Sequence, residues 1–133
     1  MNSFSAHITE VTTNGAISIV GVRMHSGEKL MSIVIDTPQS APYLKKGNMV
    51  NVLFKEMEVT VSTHLELDIS IENRIAGKIA YMETGVLLSR LTLETTLGEI
   101  IAIISTMSVV QMGLDKGMKV MIMVKLNEII LAQ

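Results

Sequence analysis

The chain has no cysteine and no tryptophan, and its aromatic content is only 3%. The absence of cysteine excludes disulfides, zinc–thiolate sites and thiol nucleophiles. Two Phe and two Tyr offer no series of platforms on which bases or sugar rings could stack. Charge is also sparse. Asp, Glu, Lys and Arg make up 18% of the residues, the net charge is −2, and no basic block tracks a phosphate backbone. Nucleic acid is therefore not an expected partner. No apolar run approaches the roughly 18 residues of a membrane span; the longest is broken by Lys119, Lys125 and Asn127. The polar start, Met1 to Ala6, has no secretory pattern. These features predict a soluble cytoplasmic protein with no membrane partner.

What is present is aliphatic. Hydrophobic residues make up 48% of the 133 positions, chiefly Ile, Val, Leu and Met, which excludes a disordered chain. The eleven methionines are scattered along apolar runs without a clustered M-x-x-M, so they read as core filler rather than a copper site.

The sequence repeats itself. Shifted by 71 residues, Asn2 falls on Asn73, Ile8 on Ile79, Thr13 on Thr84, Ser18 on Ser89, and Gly27-Glu28 on Gly98-Glu99. After a one-residue slip, placed between Ile35 and Ser40, Leu44 falls on Leu114, Lys46-Gly47 on Lys116-Gly117, Val50 on Val120 and Lys55 on Lys125. The copies occupy residues 1–63 and 69–133, joined by the polar stretch Thr63 to Asp68. Modules of about 65 residues are marginal alone, so the copies are expected to share a core or an interface.

Each copy reads as five short strands separated by turn glycines such as Gly85, Gly98 and Gly117. In the first they are Ala6 to Val11, Ala16 to Met24, Lys29 to Ile35, Met49 to Lys55 and Glu58 to Ser62. In the second they are Ala76 to Met82, Val86 to Glu94, Ile100 to Ile104, Met118 to Lys125 and Glu128 to Leu131. The fold class is all-β: two tandem five-stranded barrels, each with one short helical turn. In the second copy that turn is expected to start at Ser108 as N-cap and stop at Gly113. The first copy has Thr37-Pro38-Gln39-Ser40 at about the same place, read as two residues shorter.

No catalytic constellation is present. His7, His25 and His64 have no metal spacing and no counterpart in the second copy. The acidic residues are scattered, and there is no phosphate loop or nucleophile elbow. The chain is read as a non-enzyme. The hydroxyls of Ser105 and Ser108 at a helix start, with Lys125 closing the next strand, suit an anion, because all are donors and the amides of residues 109 and 110 are expected to point outward.

Ser70-Ile71-Glu72-Asn73-Arg74-Ile75-Ala76-Gly77-Lys78-Ile79 resembles the S-x-x-N-x-x-x-G-x-[IV] opening of the Mop or TOBE module of molbindins. Ser105 to Ser108, the run Met112 to Gly117, Val120 and Lys125 follow at that family's spacing, so the resemblance covers residues 69–133. The first copy keeps Asn2, Gly47, Val50 and Lys55 but has Ala6 in place of the glycine, and its serine pair is not identified. The resemblance implies OB-like barrels paired in tandem. It implies binding of molybdate or tungstate for storage or homeostasis, with no organic cofactor and no direct cation ligands. The implied oxyanion ligands are Ser70, Ser105, Ser108 and Lys125, with Asn73 and Lys55 as further candidates. It also implies a homo-oligomer, a trimer or hexamer, with sites between modules or subunits. Glu72 stands where some members carry Arg. That departure and the degenerate first copy motivate a runner-up reading, a barrel that binds a protein partner instead of an oxyanion.

Overall fold

The computed structural model describes residues 1–133. Ten strands and one α-helix form, in chain order, β1 (Asn2–Asn14), β2 (Ile17–Met24), β3 (Lys29–Val34), β4 (Met49–Phe54), β5 (Thr60–Ser62), β6 (Asn73–Thr84), β7 (Leu88–Thr95), β8 (Gly98–Ser105), α1 (Thr106–Met112), β9 (Lys119–Val124) and β10 (Ile130–Ala132). Two 3-10 turns, Glu56–Glu58 and Leu126–Glu128, precede β5 and β10. The expected all-β architecture of two five-stranded units is present, each a half-barrel. The first strand of each copy is longer than the alternation of apolar residues indicated, because Asn2 and Asn73 extend the pairing to Phe54 and Val124.

The two sheets exchange their last strands. One has the order β10-β4-β1-β2-β3 and the other β5-β9-β6-β7-β8. The final strand of each sequence copy therefore completes the sheet of the other. β10 pairs with β4 through Ile130 and Leu53, and β5 with β9 through Thr60 and Met123.

A bulge bends both long strands at equivalent places. The register of β1 on β2 shifts between Ile8 and Glu10, and that of β6 on β7 between Ile79 and Tyr81. The bend lets one strand serve two neighbours: β6 pairs with β9 over Asn73–Lys78 and with β7 from Gly77 onward. At the same points Ile8 and Ile79 exchange backbone hydrogen bonds with Asn48 and Gly47, and with Met118 and Gly117.

The alternating side chains enclose one continuous core drawn from both copies, including Ile8, Val20, Val22 and Phe54 from the first and Ile79, Leu91, Leu93 and Ile122 from the second. Full burial of each such aliphatic side chain contributes about 1.5–3 kcal/mol. The two phenylalanines, Phe4 and Phe54, stack with centroids 6.0 Å apart. No buried side-chain polar atom lacks a partner.

The registers relocate the slip between the copies. Met24 and Thr95 occupy equivalent positions opposite Ala6 and Gly77, and beyond the hairpin Lys29 and Glu99 do so opposite Arg23 and Glu94. The extra residue of the first copy thus lies in the β2–β3 hairpin (His25, Ser26, Gly27, Glu28), not between Ile35 and Ser40. From Lys29 to Lys55 the copies run without a gap, and the first is not shorter before Leu44. A hairpin tip absorbs an added residue without shifting side chains between faces, whereas a strand cannot.

Candidate functional site

The second module ends in a tip built around Ser105. This last residue of β8 has φ −65° and ψ 140°, the extended geometry of an N-cap, and its Oγ accepts from the Ser108 N–H at 3.1 Å. The cap is therefore Ser105 and not Ser108, and α1 starts one turn earlier than the sequence indicated. Val109 consequently lies inside the helix and is buried against the core. The stop at Gly113 is as expected, with φ 61° and ψ 36°. The Ser105 hydroxyl also donates to Ser108 Oγ at 2.9 Å, so the pair faces solvent as one joined hydroxyl unit. Thr106 fixes the adjoining loop: its N–H donates to the Leu87 carbonyl at 2.9 Å, and its hydroxyl donates to the Gly85 carbonyl at 2.9 Å. Around the serines stands an apolar rim. Val86 is 94% exposed, Leu87 79%, Met107 68% and Val110 74%. An unpartnered apolar patch beside polar donors is the usual mark of a surface that meets another molecule.

The lysines lie elsewhere. Lys125 follows Val124, which pairs with Asn73 at the start of β6. Ser105 pairs with Leu88, next to Ser89, which pairs with Thr84 at the end of β6. One chain therefore holds its serine pair and Lys125 toward opposite ends of a 12-residue strand. Lys55 and Lys125 are brought together instead. Each caps one of the two 3-10 turns, and both charges act on the Glu128 carboxyl. Glu58 is the carboxylate that acts on Glu128 at this centre. Partial burial and the Glu58 carboxylate push the Glu128 carboxyl above its usual value, against the pull of Lys125 and Lys55. The only ion pair within 4 Å in the chain is elsewhere: the Met1 amine donates to Glu56 at 2.6 Å. That bond holds the Glu56 carboxyl below its usual value.

Ser70 is exposed in the joint before β6, toward the same end of that strand as Lys125. The joint is pinned by Arg74, a residue the sequence reading did not single out. Its guanidinium donates to the carbonyls of Ile71, Leu67 and Ile69 at 2.7, 2.6 and 2.5 Å. A lone arginine one residue after the motif Asn gives no sign that it will close a loop. Asn73 is buried, and both ends of its amide are engaged by Met31: Oδ1 accepts from the Met31 N–H at 2.7 Å, and Nδ2 donates to the Met31 carbonyl at 2.8 Å. Its observed partner is thus the first module's β3. Glu72 is exposed and shares a groove with Arg23 and Lys29 of the first module.

The first module's tip is built differently. Ile35 and Pro38 stand where the second module has Ser105 and Ser108. Pro38 and Pro42 remove the amides a helix needs, and a turn replaces α1. Thr37 Oγ1 accepts from the Ser40 N–H at 3.2 Å, and Ser40 Oγ accepts from the Thr37 N–H at 2.8 Å. The Ser40 hydroxyl donates to Asp36 Oδ1 at 3.1 Å. Burial, and then the nearby Asp36 carboxylate, push the Tyr43 hydroxyl above its usual value.

Comparison with known proteins follows the same division. The TOBE domain family matches residues 69–131. The second module is similar to TOBE domains. No curated protein matches the chain by sequence at a significant level. Among solved structures, the TOBE-like module and its partner together superpose on ModG, described as a cytoplasmic molybdate-binding protein and crystallised with molybdate bound. The TM-score is 0.91 at 24% identity, over 98% of this chain and 94% of that one. The chain thus has the two-module fold of ModG. MopII from Clostridium pasteurianum, in an apo form, is 32% identical over 44% of this chain and 88% of its own, with a TM-score of 0.42. No helix in the chain is long and apolar enough to cross a membrane.

Proposed function

We propose that this protein binds molybdate or tungstate in the cytoplasm, for storage or homeostasis, and that it is a binder rather than a catalyst. The observation that carries the reading is the exposed Ser105–Ser108 hydroxyl pair at the tip of a TOBE-like module, with no carboxylate among its rim residues. A tetrahedral dianion only accepts hydrogen bonds, so hydroxyls and ammonium groups suit it, and carboxylates do not. The fold shared with ModG, itself a molybdate-binding protein, supports the same ligand.

The reading also accounts for the split of the donors. Ser105 and Ser108 lie far along β6 from Ser70 and Lys125, so a complete donor set needs the serine tip of one chain against the Ser70–Lys125 region of another. A second copy would cover the apolar rim of Val86, Leu87, Met107 and Val110 in the same step. The working form is therefore a closed homo-oligomer, a trimer or hexamer, with Lys55 a secondary contributor beside Lys125. Asn73, occupied by Met31, serves to hold the modules together.

The test is isothermal titration of the purified protein with molybdate, tungstate and sulfate in turn. Tight binding of the first two without sulfate is expected. Ser108→Ala and Lys125→Ala should each weaken it by about 1–3 kcal/mol while the fold persists. No heat with any of the three anions, or unchanged affinity in both variants, would sink the proposal.

A further inference from the structure

The two tips of the molecule occupy equivalent places in the repeat but carry opposite chemistry. At the second tip the positions after the third strand are Ser105, Thr106 and Ser108; at the first they are Ile35, Asp36 and Pro38. We infer that the oxyanion is taken by the Ser105–Ser108 tip alone, and that the first tip, closed on its own Asp36 carboxylate, excludes it. Each chain then brings one serine donor pair to the assembly rather than two. This inference rests on the oxyanion reading above.

Three observations carry it. First, the gap-free register from Lys29 to Lys55 leaves no alternative alignment that would supply a serine pair at Ile35 and Pro38. Ser40, the nearest serine, is equivalent to Val110 and not to Ser108. Second, the donors of the first tip, apart from the Thr37 hydroxyl, are engaged within the tip itself. The Ser40 hydroxyl donates to Asp36 Oδ1 at 3.1 Å, the Thr37 N–H to Ser40 Oγ at 2.8 Å, and the N–H groups of Gln39 and Ser40 to Thr37 Oγ1 at 3.3 and 3.2 Å. Asp36 thus sits within the chain as the anion of its own tip. A dianionic ligand there would meet the Asp36 carboxylate and a single uncommitted hydroxyl, that of Thr37. Third, the apolar rim is broader at the second tip, although the first also exposes Ile35 and Ile17. Val86, Leu87, Met107 and Val110 are exposed around the serines, whereas the first tip places Ala16, Thr37 and Ser40 at the positions of Leu87, Met107 and Val110. Only the second tip joins a serine hydroxyl pair to its apolar rim.

The experiment titrates molybdate into the full chain and three variants, each checked for fold by circular dichroism and thermal melting. S105A/S108A is expected to lose about tenfold or more in affinity, or to lose all of the wild-type sites. T37A/S40A and the milder D36N are expected to keep the wild-type number of sites and to stay within about twofold in affinity. A folded T37A/S40A or D36N protein with fewer sites, or with about tenfold weaker binding, would overturn the inference and leave the oxyanion reading standing. A wild-type chain that binds no molybdate would overturn that reading and this inference with it.

Discussion

Asn2 and Asn73 make the same pair of hydrogen bonds in opposite directions across the molecule. Asn2 Nδ2 donates to the Ile101 carbonyl at 2.9 Å while its Oδ1 accepts from the Ile101 N–H at 2.8 Å, and Asn73 does the same with Met31. Each amide acts as a one-residue extra strand on the edge of the other module's third strand. Together with the exchanged β5 and β10, this explains why two small repeats form one structure with a common core.

Asn73→Ala should therefore act on stability. It leaves the Met31 N–H and carbonyl without partners in a part-buried place, at a cost of about 2–4 kcal/mol. Asn2→Ala should cost a similar amount through Ile101. Urea unfolding followed by circular dichroism would measure both. A midpoint within error of wild type for either would mean that water replaces the amide.

The Glu58–Glu128 contact makes stability depend on pH in a definite direction. Glu128 has a folded-state pKa above its unfolded one, so the folded state favours the protonated carboxyl. Its contribution is fully present below the unfolded value and is lost as pH rises through the folded one. Glu128→Gln removes the charge that burial and the Glu58 carboxylate disfavour. The variant should be more stable than wild type at neutral pH, and the difference should vanish in acid. Urea midpoints at pH 7 and pH 4.5 would show it; an equal difference at both would remove Glu128 as the cause.

The apolar rim predicts how the assembly breaks. Val110 is 74% exposed on α1, so a charge there is expected to leave the monomer fold intact. Val110→Asp should shift the protein toward monomer in analytical ultracentrifugation and weaken molybdate binding together with it. An unchanged sedimentation coefficient would place the subunit contact elsewhere.

These relationships were unevenly legible in the sequence. Alternating apolar residues and turn glycines marked ten strands within a few residues, and Gly113 marked the end of the helix. The repeat was visible through Asn2 and Asn73, Gly47 and Gly117, and Lys55 and Lys125. The cap was misplaced because Ser105 and Ser108 are both good caps, and only the extended backbone at the end of β8 decides between them. The slip was misplaced because the Gly27-Glu28 and Gly98-Glu99 identity crosses it. The strand exchange had no signature. Thr60–Ser62 and Ile130–Ala132 are three-residue strands, and their pattern states which face is buried but not which sheet they join. For the same reason the meeting of Lys55 with Lys125, and the distance of both from the serine tip, emerge only with the fold.

The repeat also contains a compensated substitution, which gives the most discriminating test of its packing. Gly77 sits at the crossing of β6 with β7 and β9, opposite Thr95 and Val120. A Cβ there would lie 2.7 Å from Ile122 Cδ1 and 3.0 Å from the Glu94 carbonyl oxygen. Its counterpart Ala6 carries that Cβ and is nevertheless buried, at 2% exposure. The counterpart of Ile122 is Val52, which lacks the very methyl that would collide. Gly77→Ala alone should therefore destabilise by about 1–3 kcal/mol through overpacking. Ile122→Val alone should cost about 0.5–1.5 kcal/mol through the lost methyl. In the double variant the added and removed carbons offset each other, so the loss should be smaller than the sum by about 1 kcal/mol. The Glu94 carbonyl, being backbone, yields less than a side chain, so the rescue should be partial. A strictly additive double-mutant cycle in urea unfolding would mean that the backbone contact, rather than Ile122, makes the second module require glycine.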